Sequence, residues 1–395
     1  MDSSGAIFLT GSSGFLGMEL LARYLENTDR PVYALMRGRD DDDAAERLLK
    51  AARTVVPDAD RHRHRLVAVR GDAKRPRLGI DAAQFDRVAD EVTEIVHAAA
   101  SVSFTQALDD ARLINVEGTR HVLDLAERCA ERGGLRRLAH VSTAYVAGTH
   151  HGTFYEHDLE RGQSFNNTYE LTKWEAERLV REHIGRLPIT IVRPSIVVGE
   201  EDSGWTPAFN VMYGPLHAYS RGSLTVVPAR RSAPVDVVPA GYVADAIFEL
   251  STRPDSAGRT FTLAAGPEAS TVGELIDTSA AAFGRRRGVA LSPWLYKLAV
   301  HPVLLRRTKG SRRRALKRAE VFFPYFDVRA RFDTSAASEA LGRAGIRVPP
   351  LSSYFHALVN FANATEWGRR PLTRVEARAA LDGRAKPATL QPAGV

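Results

Sequence analysis

Short, nearly uninterrupted apolar runs alternate with longer amphipathic stretches over the first two-thirds of the chain. The runs are Ala6–Thr10, Val32–Met36, Leu66–Val69, Glu94–His97, Leu138–Val141, Ile189–Val192 and Phe261–Leu263. Most lack the polar alternation of a half-exposed strand, as strands covered on both faces do. Between them, stretches such as GMELLARYLEN and NVEGTRHVLDLAERCAE repeat their apolar positions at helical spacing. This alternation predicts an α/β chain built on a Rossmann-type, doubly wound parallel sheet, with ligands beyond the carboxyl ends of the strands.

After Gly199 the pattern changes. Residues 200–234 are rich in Gly, Pro and aromatic residues, and residues 266 onward read as mostly helical. The expected organisation is a nucleotide-binding domain over 1–265, with 200–234 contributing to a substrate pocket. A smaller, mostly helical substrate-binding region follows over 266–382. The Ala/Pro/Gly-rich end, 383–395, is expected to be a disordered tail.

Composition narrows the class. At 44% hydrophobic and 26% charged, the chain reads as an ordinary globular protein. The single cysteine, Cys129, rules out an internal disulfide and fits a reducing compartment. There is no basic-then-apolar leader, and no run approaches membrane-spanning length, so a cytoplasmic location is expected. The net charge of +7 is local: residues 285–318 hold twelve Lys or Arg and no acid, and without them 42 basic residues face 47 acidic ones. That segment interleaves Trp294, Leu295, Leu304 and Leu305 with its cations. It suits the phosphates of a carrier, an acidic carrier protein or an anionic membrane surface, and equally a solvated helical face. Nothing in it supplies base readout, so no specific nucleic-acid partner is expected. No metal site is expected, and the oligomeric state is not legible.

The strongest chemical signal opens the chain. The run AIFLT leads directly into Gly11-Ser-Ser-Gly14-Phe-Leu-Gly17 and then into an amphipathic helix. Gly11 permits a tight turn, Gly14 lets backbone approach a pyrophosphate, and Gly17 lets helix and strand pack closely. The loop Ser13, Gly14, Phe15, Leu16 would offer helix N-terminal N–H groups to the phosphates. The second strand ends at Arg37, where an acid would favour a 2′-hydroxyl and an Arg a 2′-phosphate; NADPH is the expected cofactor. The competing reading pairs Arg37 and Arg39 with the acidic run Asp40–Asp43. Asp72 stands where a carboxylate can accept from an adenine amino group, or is a turn residue. Ala98 and Ala99 end the fourth strand and would leave room for the cofactor.

His140-Val-Ser-Thr143 closes the fifth strand, and Tyr169-Glu-Leu-Thr-Lys173 opens a helical pattern. Spacing i, i+4 puts Tyr169 and Lys173 on one helix face. A reducible carbonyl needs an acid at its oxygen, and a neighbouring ammonium is expected to lower the phenol toward neutrality. Lys173 can also hold the nicotinamide ribose, and Thr143, or else Ser142, can donate to the same oxygen. The pair runs against composition, since only seven of the 54 basic residues are Lys. Asn115, expected to begin the helix after the fourth strand, either anchors a proton path to Lys173 or caps that helix.

Gly11 to Gly17, Gly71-Asp72, His97-Ala-Ala, Asn115-Val-Glu-Gly-Thr, His140-Val-Ser-Thr143-Ala-Tyr, Tyr169-x-x-x-Lys173 and Arg193-Pro-Ser195-Ile-Val occur in that order. Together they resemble the extended short-chain dehydrogenase/reductases. Gly204-Trp205, Tyr213-Gly214-Pro215, Val235 to Pro239 and Tyr242 to Ala246 are similar to fatty acyl-CoA reductases and to the thioester-reductase domains of carboxylic acid reductases. The resemblance implies that Pro194 and Ser195 border the nicotinamide. It also implies NADPH-dependent reduction of an acyl-CoA or acyl-carrier-protein thioester to aldehyde and thiol, with alcohol as a further product. The rivals are another extended-family dehydrogenase or nucleotide-sugar epimerase, and a dinucleotide-binding regulator without turnover.

Overall fold

In the computed structural model, residues 5–209, 211–310, 313–314, 317, 320, 323, 325 and 328–383 are described. All seven apolar runs form strands of one sheet: β1 (Ala6–Thr10), β2 (Val32–Met36), β3 (Leu66–Arg70), β4 (Val92–His97), β5 (Arg137–Val141), β6 (Ile189–Pro194) and β7 (Thr260–Leu263). Every pairing is parallel and the order is 3-2-1-4-5-6-7. Both faces are covered, which explains the continuous apolar runs: every residue of β1, β5 and β6 is buried.

Alternate side chains serve the two layers. Ile7 and Leu9 face α1 (Phe15–Asn27), α2 (Asp41–Val55) and, later in the chain, residues 240–252 through Leu20, Leu21, Leu48 and Ile247. Phe8 faces α3 (Ala82–Glu91), α4 (Gly118–Glu131) and α5 (Thr168–Arg181) through Phe85, Val122, Leu125 and Val180. Truncating such a fully buried Phe or Leu costs about 2–5 kcal/mol. Strand order reverses between β1 and β4, and the crevice at their carboxyl ends is where an open α/β sheet receives its ligand. In register there, Thr10 pairs with His97 and His97 with His140, a polar row at the mouth of an apolar sheet.

The second half builds a cap over that end. Helix α6 (Tyr213–Ser220) and the residue before it, Met212, pack on Tyr354, Phe355 and Leu358 of the helix Leu351–Ala364. Helix α7 (Ala240–Thr252) belongs instead to the layer on the sheet face, while α8 (Val272–Phe283), started by a capping box between Thr271 and Glu274, is a further member of the cap. The division at residue 265 is not a clean physical one. The helix Arg374–Leu381 returns to the nucleotide half, where buried Arg374 donates to Glu200 at 2.8 Å and to the Val55 carbonyl at 2.8 Å. A buried guanidinium needs such partners, and these come from the sheet side. The expected tail lies, apart from Gly383, outside the described residues. Among the described residues no helix is long and apolar enough to cross a membrane.

Candidate active site

The glycine loop has the shape its residues dictate. Gly11 takes φ +78°, and a Cβ there would lie 2.8–2.9 Å from the backbone of Ala98 and Ala99. A Cβ on Gly17 would lie 1.9 Å from the Gly11 carbonyl oxygen. Gly14 occupies the N-cap of α1 without a side-chain hydrogen bond, so the first-turn N–H groups of Phe15, Leu16 and Gly17 face outward beside exposed Ser13. Backbone donors that no side chain caps, at the positive end of a 13-residue helix, fit a pyrophosphate.

The acidic run after β2 is largely committed elsewhere. Asp40 caps α2 by accepting from the Asp43 N–H at 2.8 Å, Asp41 pairs with Arg70 at 2.6 Å, and Asp43 pairs with Arg39 at 3.5 Å. Arg37 is exposed and has no ion-pair partner among the described residues. The competing reading therefore holds for Arg39 and not for Arg37. Asp72 does serve as a turn residue, its Oδ1 accepting from the Lys74 N–H at 3.1 Å. Its Oδ2 stands 3.7 Å from the Lys74 ammonium.

Asn167 caps α5 by accepting from the Glu170 N–H at 3.0 Å, which fixes the first turn carrying Tyr169. Lys173, one turn on, is buried and donates from Nζ to the Val141 carbonyl at 2.8 Å. Burial brings its ammonium down from 10.5 to about 8, against the opposing pull of Glu177. Tyr169 meets the hydroxyl of Thr143. Burial pushes the phenol up to about 12, with Glu170 adding to the rise and Thr143 easing it. The expectation that Lys173 lowers the phenol is therefore corrected: the ammonium is turned to the end of β5, and Tyr169 is a fully protonated donor at neutral pH. Thr143 also donates weakly to the Pro194 carbonyl at 3.4 Å, which brings the end of β6 into the site. Ser195 follows, buried, with its N–H on the Leu263 carbonyl at 3.1 Å. Ser142 is not the alternative donor, because its hydroxyl is committed to Glu177 at 2.6 Å.

Asn115 neither begins nor caps a helix. The helical run starts at Leu108, and Asn115 lies within a wide turn, Leu113–Glu117, that runs into α4. Its Oδ1 accepts from the Ser101 N–H at 2.7 Å, and its Nδ2 donates to the Ser101 carbonyl at 3.1 Å and the Thr172 hydroxyl at 2.9 Å. Both amide hydrogens are spent, so Asn115 ties the loop after β4 to the helix of Tyr169 and Lys173. Such single wide turns are frequent at functional sites.

Four further groups surround the pair. Glu177, a turn beyond Lys173, holds Arg193 through contacts of 2.6 and 3.0 Å, both side chains being at most 1% exposed. Its signal in the sequence is the i+4 series Tyr169, Lys173, Glu177. His97 is neutral with a defined tautomer. The Thr119 hydroxyl donates to the Asn115 carbonyl, so His97 Nε2 donates to Thr119 at 3.0 Å and Nδ1 accepts from Thr10 at 2.8 Å. His140 lies 5.5 Å from it between ring centres, and burial, with Lys173 adding to it, holds it well below the ordinary imidazole range. Tyr325 arrives from far along the chain. It donates to Glu170 at 2.6 Å, accepts from Asn167 at 2.8 Å and stacks on Phe104, which in turn lies 5.8 Å from the Tyr169 ring. Among the described residues no cluster of His, Cys, Asp and Glu is placed to hold a metal ion.

Residues 9–247 match the family described as male sterility protein. A fatty acyl-CoA reductase of Drosophila melanogaster, wat, is 31% identical over 246 residues, 53% of this chain and 46% of the relative. A linear gramicidin synthase of Brevibacillus parabrevis is 29% identical over 69% of this chain and 5% of its own length. The chain thus spans about half or less of these curated relatives. Among solved structures, the terminal R domain of the myxalamid PKS-NRPS pathway superposes with a TM-score of 0.80 at 29% identity, covering 94% of each chain. A thiolation-reductase di-domain from an archaeal non-ribosomal peptide synthetase gives 0.74 at 20% identity, over 93% of this chain and 77% of that one, a likeness of fold.

Proposed function

The chain belongs to the male sterility protein family, with the fold and motif order of an extended short-chain dehydrogenase/reductase, and from that premise we propose that it is an NADPH-dependent reductase of acyl thioesters. The observation that carries the reading is the pair Tyr169 and Lys173 one turn apart on α5, with Lys173 anchored on the Val141 carbonyl at the end of β5 and Tyr169 against Thr143, two residues further on. NADPH, when held in the crevice, would supply the hydride. Gly11, Ser13, Gly14, Phe15, Leu16 and Gly17 would hold its pyrophosphate, Arg37 its 2′-phosphate and Asp72 its adenine edge. Ala98 and Ala99 would leave room for it, and Pro194 and Ser195 would border the nicotinamide.

The chain's own groups then act at one atom. Tyr169 and Thr143 donate hydrogen bonds to the thioester oxygen, where negative charge develops. Lys173 holds the nicotinamide ribose and places a positive charge beneath the site. Asn115 positions the helix that carries them. Collapse of the reduced thioester releases aldehyde and free thiol, and a second reduction gives alcohol.

The carrier is the acidic part of the substrate, CoA or a carrier protein. The helical run from Pro293 to Arg307 presents Trp294, Leu295 and Leu298 to solvent beside Lys297, Arg306 and Arg307. This is the surface we assign to the carrier or to an anionic membrane that stores long-chain substrate, the protein being otherwise cytoplasmic.

NADPH oxidation on acyl-CoA, aldehyde and ketone panels tests the reading. The acyl-CoA should be turned over, and Tyr169→Phe should lower kcat by about 10²–10⁴-fold with NADPH binding retained. Near-normal kcat in Tyr169→Phe, or turnover of ketones alone, would overturn it.

A further inference from the structure

A cavity of about 100 Å³ lies between α6 and α8, lined almost wholly by apolar side chains. Its two ends can be told apart. Ile196, Val235 and Tyr325 border it and also border a smaller cavity of about 40 Å³ that includes Tyr145 and Asp236. The Tyr325 ring lies 5.2 Å from Tyr145 and 5.1 Å from Phe104, which neighbours Tyr169, so this end faces the chemistry. Helix α8 begins at the same end, because Ser270 and Thr271 pair with Val235 and Pro234. Val272, Leu275, Ile276 and Ser279 then line the cavity on successive turns. Two turns of helix separate Val272 from Ser279, about 10 Å along the axis. At the far end Tyr219 forms the floor. Its ring lies 6.5 Å from Phe283, one turn past Ser279, and its hydroxyl is fixed by donating to the Arg286 carbonyl at 2.8 Å and accepting from the Gly288 N–H at 3.2 Å.

We propose that this cavity takes the hydrocarbon chain of the acyl group, methyl end toward Tyr219, and that Ser279 and Tyr219 set the longest chain that enters. The inference rests on the thioester-reductase reading, and one apolar chain is the occupant that fits. The cavity is lined almost wholly by apolar side chains, has Tyr219 at its far end, and at its near end shares Ile196, Val235 and Tyr325 with the smaller cavity beside Tyr145. Among the described residues no cationic group lines it that would meet a phosphate. A sugar or other polar substrate is disfavoured there, because its groups would be left unpaired.

The test is kcat/KM across a series of saturated acyl-CoA lengths, with displacement of an alkyl fluorophore by n-alkanoic acids measured in parallel without NADPH. Ser279→Leu shortens the cavity and should lower kcat/KM for chains that reach it by about tenfold, leaving the shortest within twofold. Tyr219→Ala removes the floor and should move the optimum to longer chains. Displacement affinities should shift the same way. Activity on the shortest thioester reports that each variant is folded. If both variants scale every chain length by one factor, the cavity does not measure the chain and the proposal falls. If alkanoic acids bind with the expected shifts while no acyl thioester is reduced, the cavity assignment stands and the reductase reading fails.

Discussion

The Nζ of Lys173 donates to the carbonyl of Val141, at the end of β5, across 2.8 Å of buried space. That carbonyl and Glu177 support the charge, yet burial wins and the ammonium titrates at about 8. Tyr169, up at about 12, keeps its proton throughout the working range. If reduction needs the ammonium, log kcat/KM should be level below about pH 8 and fall with unit slope above it, because kcat/KM reports groups of the free enzyme. The same shift makes a stability statement. Between about 8 and 10.5 the unfolded chain holds the proton more firmly than the folded one, so this group favours folding more as pH rises through that window. A pH profile flat to pH 10 would show that the charge on Lys173 is not used.

Arg37 is exposed at the end of β2 while the acids around it serve the cap and other arginines. Arg37→Asp should lower kcat/KM for NADPH by about 10²-fold and change that for NADH severalfold at most, since a charge-assisted contact is lost and repulsion added. An unchanged NADPH/NADH ratio, measured under matched salt, would remove Arg37 from the cofactor site.

Glu177 and Arg193 are buried together, and Ser142 and Arg181 complete the cluster at 2.6 and 3.0 Å. Removing one charge strands the other. Glu177→Gln should therefore destabilise the fold by about 3–5 kcal/mol in denaturant titration, while the double replacement Glu177→Gln with Arg193→Met should recover much of that loss. Additive losses in the double variant would show that the two residues do not act as a pair.

Much of this was open to reading before the structure. The seven strands of the sheet announce themselves because a doubly covered strand must be apolar at consecutive positions, and a small or polar residue follows each of them. The Gly11 to Gly17 turn and the Tyr169–Lys173 pair are local in sequence, so spacing alone brings them together. What was not legible depends on distant partners. Glu177 and Arg193 look like surface charges until α5 is laid on β6. The wide turn at Asn115 has no propensity signature, and only its bonds to Ser101 and Thr172 reveal what it does. Tyr325 reaches Glu170 from 155 positions away, with no pattern to link them. The ammonium of Lys173 went to a backbone carbonyl, and spacing cannot show which acceptor a flexible side chain selects.

The exposed helical run from Pro293 to Arg307 yields the last prediction. Its outward residues include Trp294 at 69% and Leu298 at 63% exposure, large apolar groups that a solvated face does not need. Arg306, Arg307 and Lys309 are exposed beside them and pair with no acid among the described residues. Arg287, by contrast, is paired with Asp277 at 3.3 Å. Of the neighbouring arginines, Arg312 and Arg318 lie outside the described residues. A recruiting charge acts at long range and is screened, the Debye length being about 8 Å at physiological ionic strength. Neutralising Arg306, Arg307 and Lys309 together should raise KM for the acyl carrier by roughly three- to tenfold, since each exposed contact is worth up to about 1 kcal/mol. KM for NADPH should not move, because the phosphate sites proposed for it, at the start of α1 and at Arg37, lie outside this helical run. The salt dependence of the acyl KM should flatten in the variant. Sedimentation with anionic and neutral vesicles separates the two surfaces this helix suits: loss of anionic-vesicle binding in Trp294→Ala with Leu298→Ala assigns it to a membrane, and loss of carrier affinity alone assigns it to the carrier. If acyl KM, salt response and vesicle binding are all unchanged, the helix is a solvated face and recruits nothing.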